Sequence, residues 1–318
     1  MFLICYKTKV ILFYIISKNA VQSVLLKYLL LAVSLLFSHL SVSAKERILL
    51  LSDDENDRQQ LLSLQPVSLA TDTLNLVLNQ LTDEFDFDVQ SAPISRIDQL
   101  LDRHDNACVV NRVKTPERQA QYLFSLPIHM FPNHRLYYDA SWVTISAKQL
   151  NEQGQLLSLH ALFTEQLEHK LLLVKDKSYG RYLDTQLALL DKNNTLYRSG
   201  GDYYTALLAM LERRRSEYAL MFPATFFEQT GQKVQGKQIR SVAIAGNPTY
   251  ILGHMACKQS DIATTFIAKV NHVLKQLYRD ERLYQAHERY LSEADKIHFQ
   301  QDYRHVFHRP DQANTAPK

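Results

Sequence analysis

Beyond residue 46 the chain alternates short apolar runs with stretches where apolar residues recur at helical spacing, and this alternation constrains the fold more than any other feature. Strands separated by helices build a sheet that the helices cover, which is an α/β architecture. Arg47–Leu51 (RILLL) reads as a first strand. In Val67–Leu81, Ala70, Leu74, Val77, Leu78 and Leu81 recur at helical spacing and predict a helix. Phe85–Gln90 reads as a second strand, Ser95–Arg103 as a short helix with a serine cap, and Ala107–Asn111 as a third strand. Thr115 and Pro116 then open a helical turn, with threonine as cap and proline at the first helical position.

A second series follows the first. Leu159–His169, Ser178–Asp191, Tyr203–Arg215 and Ala224–Gln229 read as helices. Between and after them, Leu171–Val174, Thr195–Arg198, Tyr218–Phe222 and Ile239–Ala245 read as strands. A strand over Tyr250–Cys257, a long helix over Asp261–Arg279 and a shorter one around Leu283–Leu291 complete the pattern. The segment after Arg309 is polar and is expected to be disordered. With 318 residues the chain has room for two lobes, at about 100–200 residues per domain, and it contains no internal repeat.

The net charge of +3 looks basic, but Lys7, Lys9, Lys18 and Lys27 lie in an acid-free segment over residues 1–44. Without them 32 cations face 33 acids, a balance that argues against binding a phosphate backbone. Residues 24–44 combine a cation, an apolar stretch and the small-residue ending Val42-Ser43-Ala44, the pattern of a cleaved secretory signal peptide. The apolar stretch before Val24 does not belong to an ordinary signal, so initiation at Val24 is expected. An uncleaved anchor is the alternative, although the apolar run from Tyr28 is short for a span of ~20 residues and His39 interrupts it. Cys5 falls in the leader. Cys108 and Cys257 remain in a compartment that permits disulfides, where a bridge and two buried thiols both fit.

Catalytic and phosphate-binding motifs are missing: there is no G-x-S-x-G, G-x-x-x-x-G-K-[ST], G-x-G-x-x-G or H-E-x-x-H. His129, His134, His160, His169 and His254 make no metal spacing with a cysteine or carboxylate, so neither metal nor cofactor is expected. Asp53, Asp54 and Glu55 fit a solvated loop after a strand, and Arg213–Arg215 a solvated helix end. The informative stretch runs from Cys108 to Arg118 (CVVNRVKTPER) and on through Phe124-Ser125-Leu126-Pro127. There a strand delivers the chain to a helix N-terminus that carries an arginine. Free N–H groups and a bidentate guanidinium at one spot make a carboxylate receptor; a solvated Arg118 paired with Glu117 is the plain alternative.

Thr115–Arg118 with Phe124–Pro127, Leu171–Gly180 (LLLVKDKSYG), Tyr203–Pro223, Gly253–Cys257 (GHMAC) and the helix through Asn271 resemble, in order and spacing over about residues 46–307, one known family. It is the family 3, amino-acid type of periplasmic solute-binding protein used by ABC importers, and more narrowly a proteobacterial offshoot of it. The resemblance implies a two-lobed type 2 periplasmic-binding-protein fold. Lobe 1 would hold 45–140 and 252–318, and lobe 2 would hold 141–251. Two crossing segments near Asp139–Ile145 and Gly246–Leu252 would form the hinge. Both cysteines would then share lobe 1, which favours their bridge. The implied ligand set is Arg118 for a carboxylate, Asn111 and Thr115 beside it, Ser178 and Tyr179 at a lobe 2 helix N-terminus, and Asp53.

Two departures from the family bear on the ligand. Leu51–Glu55 lacks an aromatic residue after the first strand, and Phe222-Pro223 stands where the family places the aspartate that meets an amino acid's ammonium. Asp53 or Glu55 would replace that charge, or the ligand lacks an amino group. The expected function is therefore a monomeric periplasmic binder of a small carboxylate, working with an ABC importer permease and not with nucleic acid. A sensory or accessory module acting on a membrane receptor is the alternative. A dehydratase-like enzyme on the same scaffold is the weakest reading, because Glu117, Asp53 and Glu55 are only generic acid–base candidates.

Overall fold

The protein was analysed as a computed structural model that describes residues 44–231 and 238–307. Contacts divide the chain at Lys45/Glu46, and the two-lobed fold is that of Glu46 onward. The expected signal peptide and the expected disordered tail lie outside the described residues. No described helix is long and apolar enough to cross a membrane.

The first lobe is built on strands β1 (Glu46–Ser52), β2 (Phe85–Ser91) and β3 (Ala107–Arg112). β1 pairs in parallel with both of the others. Its interior is continuously buried, as a strand covered on both faces requires, whereas the edge strand β2 (FDFDVQS) is half-buried at its centre, with Asp86 exposed and Asp88 paired with Arg47. Helices α1 (Asp57–Gln60), α2 (Leu69–Leu78), α3 (Ile94–Arg103) and α4 (Pro116–Gln119) make the connections. Ser68 caps α2 by accepting from the Thr71 N–H, and Thr115 caps α4 by accepting from the Arg118 N–H. The expected serine cap at Ser95 is not used: α3 starts one residue earlier, behind Pro93 and without a side-chain cap.

The chain then makes β4 (Tyr122–Phe124) and β5 (His129–Pro132), and returns much later as β11 (Tyr250–Lys258), antiparallel to β3, β4 and β5. Helices α9 (Asp261–Leu277), α10 (Glu281–Glu288) and α11 (Glu293–Phe307) close this lobe. Phe266, Val270 and Leu274 of α9 bury against Leu74, Val77 and Leu78 of α2 and Phe85 of β2, while Ile97 and Leu101 of α3 cover the other face.

The second lobe holds β6 (Arg135–Asp139), β7 (Leu171–Val174), β8 (Thr195–Arg198), β9 (Tyr218–Met221) and β10 (Ile239–Val242), in the order β10-β6-β9-β7-β8. Helices α5 (Leu159–Glu165) and α6 (Arg181–Leu187) cover one face of this sheet and α7 (Tyr203–Glu212) the other. Helix α8 (Pro223–Thr230) follows β9.

Two segments cross between the lobes: Asn133-His134, and residues 246–249. They run side by side, with the Asn133 N–H donating to the Thr249 carbonyl (2.9 Å) and the Asn133 and Asn247 side chains bonded to each other (3.3 Å). The first crossing therefore precedes the expected Asp139–Ile145, because β6 pairs with β9 and β10 and belongs to the second lobe. The second starts at the expected Gly246, after residues 243–245 have paired with Leu156 of the second lobe, and ends where Tyr250 enters β11 in the first lobe. Cys108 and Cys257 face each other across β3 and β11 and are bonded, with S–S 2.03 Å and Cα–Cα 4.0 Å; both are fully buried.

Candidate functional site

Between the lobes lie two adjoining chambers, with cavity volumes of about 60 and about 200 Å³. Asp53, Asn111, Phe131, Lys177 and Phe222 line both. The Phe131 ring, from the first lobe, stacks on Phe222 of the second at 4.8 Å and gives the shared boundary an apolar wall.

The smaller chamber is the cationic one. Strand β3 ends in Asn111-Arg112, so its last residues deliver polar side chains to the cleft. Arg112 is 7% exposed and lines the chamber; one terminal nitrogen pairs with Asp98, while its Nε has no partner among the described residues. Arg118 also lines it. Its guanidinium donates to the Val113 carbonyl (3.0 Å) and makes no ion pair among the described residues. Burial pulls the pKa of both arginines down, Arg112 to about 10, and the Arg118 charge adds to the effect on Arg112. Gly253 forms part of the wall, where a Cβ would collide with the Asn111 side chain and the His129 ring.

Lys177 stands at the boundary. Its Nζ lies 3.5 Å from Asp53 Oδ2, donates to the Tyr203 hydroxyl (3.3 Å), and sits 5.0 and 5.3 Å from the ring centroids of Tyr203 and Tyr204. The Tyr203 hydroxyl donates to Asp53 as well (2.9 Å), so Asp53 of the first lobe is tied to two residues of the second.

The larger chamber is acidic. Asp54, Asp57 and Glu228 line it beside Asp53. Asp57 accepts from the Ser52 hydroxyl (2.5 Å), and Glu228 from the Leu69 N–H at the start of α2 (2.8 Å). Burial pushes the Asp57 carboxyl up to about 7 and that of Glu228 up to about 8, with neighbouring carboxylates adding to both rises. The Tyr204 hydroxyl is buried without a hydrogen-bond partner among the described residues. No group of three or more His, Cys, Asp or Glu among the described residues is arranged to hold a metal ion.

The residues expected at the site are distributed unevenly. Arg118, Asn111, Asp53 and Ser178 line the chambers. Ser178 is committed within its own lobe, donating to Asp184 (2.6 Å). Thr115 caps α4 and does not line either chamber. Tyr179 turns away: it is 2% exposed in the core of the second lobe, and its hydroxyl accepts from the Val174 N–H (2.7 Å). Sequence reasoning missed Lys177, Tyr203, Tyr204, Asp57 and Glu228. The available signal was a lysine just before Ser178-Tyr179-Gly180, together with paired tyrosines opening a helix.

Comparison with protein-family models and with curated sequences gives no match. Solved structures do match, at low identity. A mutant of ArgBP from T. maritima superposes with a TM-score of 0.54 and 13% identity, covering 77% of this chain and 94% of that one. The amino acid ABC transporter substrate-binding protein AbpA from Streptococcus pneumoniae, bound to L-arginine, gives 0.54 and 12%, covering 77% and 94%. An arginine transport system periplasmic binding protein from Legionella pneumophila gives 0.52 and 14%, covering 78% and 100%. The chain therefore has the two-lobed fold of these substrate-binding proteins.

Proposed function

We propose that this protein is an exported solute-binding protein, working in the periplasm as a monomer. It captures a small carboxylate-bearing, amino-acid-like molecule between its lobes for an ABC importer. The observation that carries this reading is Arg118: a partly buried guanidinium in an inter-lobe chamber, with no ion pair among the described residues to compensate it. Burial disfavours this charge more than the nearby Asp184 and Glu117 support it, and a carboxylate bound there in bidentate fashion offsets that cost. The fold shared with importer-linked binding proteins supports the same role, as does the leader pattern of residues 24–44.

A thermal-denaturation screen of residues 45–318 against amino acids and small carboxylates tests the reading. A ligand that binds only the native state adds about 2.7 kcal/mol at a hundredfold excess over Kd. A rise in midpoint confined to carboxylates is expected. A cooperative melt that no carboxylate moves contradicts the proposal.

A further inference from the structure

Resting on that reading, we propose that the cleft selects an ω-amino or ω-guanidino carboxylate without an α-ammonium group: its carboxylate sits in the chamber of Arg112 and Arg118, its cationic end in the chamber of Asp54, Asp57 and Glu228, and Lys177 holds the place an α-ammonium would need.

The charges are separated along the cleft. Arg112, Arg118 and Lys177 share a space of about 60 Å³, so a carboxylate held by Arg118 brings its α-carbon close to the Lys177 ammonium. An α-ammonium there would meet a like charge. Two acids share this lining and neither relieves it: Asp53 is already held by Lys177 and Tyr203, and Asp176 is exposed, so its charge is screened by solvent. The unpartnered Nε of the buried Arg112 gives the same chamber a spare donor for an anion. A carboxylate thus fits, and an amino group beside it does not.

Across the shared boundary the balance reverses. Five acids line the larger chamber, Asp53, Asp54, Asp57, Glu228 and Asp202, the last paired with Arg198, against the single lining cation Lys177, and the buried Tyr204 hydroxyl lacks an acceptor or donor there among the described residues. Asp57 and Glu228 hold protons into the neutral range because they are buried, and the neighbouring acids add to the effect. An ammonium or guanidinium entering this space would compensate them and displace those protons. The stacked Phe131 and Phe222 rings, lining both chambers, suit the methylenes that join the two ends of such a molecule.

Calorimetric titration with matched probes separates the possibilities. L-arginine and δ-guanidinovalerate differ only in the α-ammonium, as do L-lysine and ε-aminocaproate, while valerate keeps the carboxylate and lacks the distal cation. The deamino probe of at least one pair is expected to bind about tenfold or more tightly than its α-amino partner, and than valerate. Its binding should release protons, read as an enthalpy that depends on the ionisation enthalpy of the buffer. Lys177→Met should narrow the preference over the α-amino partner, and Glu228→Gln should reduce the proton release. Equal or tighter binding of the α-amino acids that Arg118→Ala abolishes would overturn this inference and leave the carboxylate-binding reading standing. Valerate binding as tightly as the deamino probes would also overturn it. Binding of none of the five would overturn it, and binding of no carboxylate in the wider thermal screen would overturn the carboxylate-binding reading as well.

Discussion

Four imidazoles, those of His129, His134, His254 and His287, are buried where charging is unfavourable. Burial holds His129 at about 3, His254 and His287 at about 4, and His134 well below the usual 6.5. As neutral groups, His129 bonds Thr73 (2.7 Å), and His287 accepts from the Met130 N–H (3.1 Å) while its other nitrogen faces the Leu283 carbonyl (2.7 Å). As pH falls below 6.5 the unfolded chain takes up protons that the folded chain refuses, so stability is lost progressively toward pH 4. Asp57 and Glu228 act in the opposite sense. With folded values near 7 and 8, they hold protons that the unfolded chain releases above about 4, so their contribution declines as pH rises to about 8. Four imidazoles outweigh two carboxyls below 6.5, and above it the imidazole contribution fades and the carboxyls prevail. The urea midpoint of the unliganded protein should therefore peak near pH 6.5, and Glu228→Gln should flatten the alkaline side, steepen the acid side and move the peak to higher pH. A midpoint that keeps rising from pH 6.5 to 8 would contradict this assignment. None of these histidines could be placed in the sequence: a lone histidine reads the same in a core and on a surface until its partners are known.

At the scale of elements, the strands and helix cores were the legible part. Leu171–Val174 and Thr195–Arg198 form strands with the expected bounds, because a short run of β-forming residues between turn signals leaves little choice. Element ends were less legible where one side chain decides them. Helix α6 was expected from Ser178, but the Asp184 carboxylate takes both the Ser178 hydroxyl and the Tyr179 N–H, and the helix starts after Gly180 at φ 90°. That turn sends Tyr179 into the core and leaves Lys177 facing the cleft beside Ser178. The disulfide belongs to this scale too. It joins two paired strands, β3 carrying Asn111 and Arg112, and β11 carrying Gly253, across a sequence separation of 149. Replacing both Cys108 and Cys257 by serine should cost about 2–5 kcal/mol, mostly by freeing the unfolded chain, and lower the thermal midpoint by several degrees. An unchanged midpoint in the double variant would remove the bridge from the account of stability.

For the whole molecule, two paired crossings and a cleft bridged by Asp53, Lys177 and Tyr203 join the lobes. Such a bridge biases the equilibrium between open and closed arrangements toward closure. Asp53→Ala removes the first lobe's side of it, and the unliganded variant should show a larger radius of gyration by small-angle scattering. An unchanged radius would mean that other contacts hold the lobes together. The two-lobed plan was legible in the order of motifs, but the hinge was not. The sequence marks the exit from β5 only by Pro132-Asn133, whereas the pairing of β6 with β9 and β10 is a long-range fact.

The claim on which the account depends is that Arg118 receives a ligand's carboxylate between the lobes. The most direct measurement titrates the carboxylate giving the largest thermal shift into the parent protein and into Arg118→Ala under identical conditions, with circular dichroism to verify that both are folded. Loss of a charge-assisted bond to a buried partner should weaken binding by about 1.5–3 kcal/mol, roughly tenfold to a hundredfold or more, with little change in the melting curve of the free protein. Equal affinity in a folded Arg118→Ala protein would contradict the account.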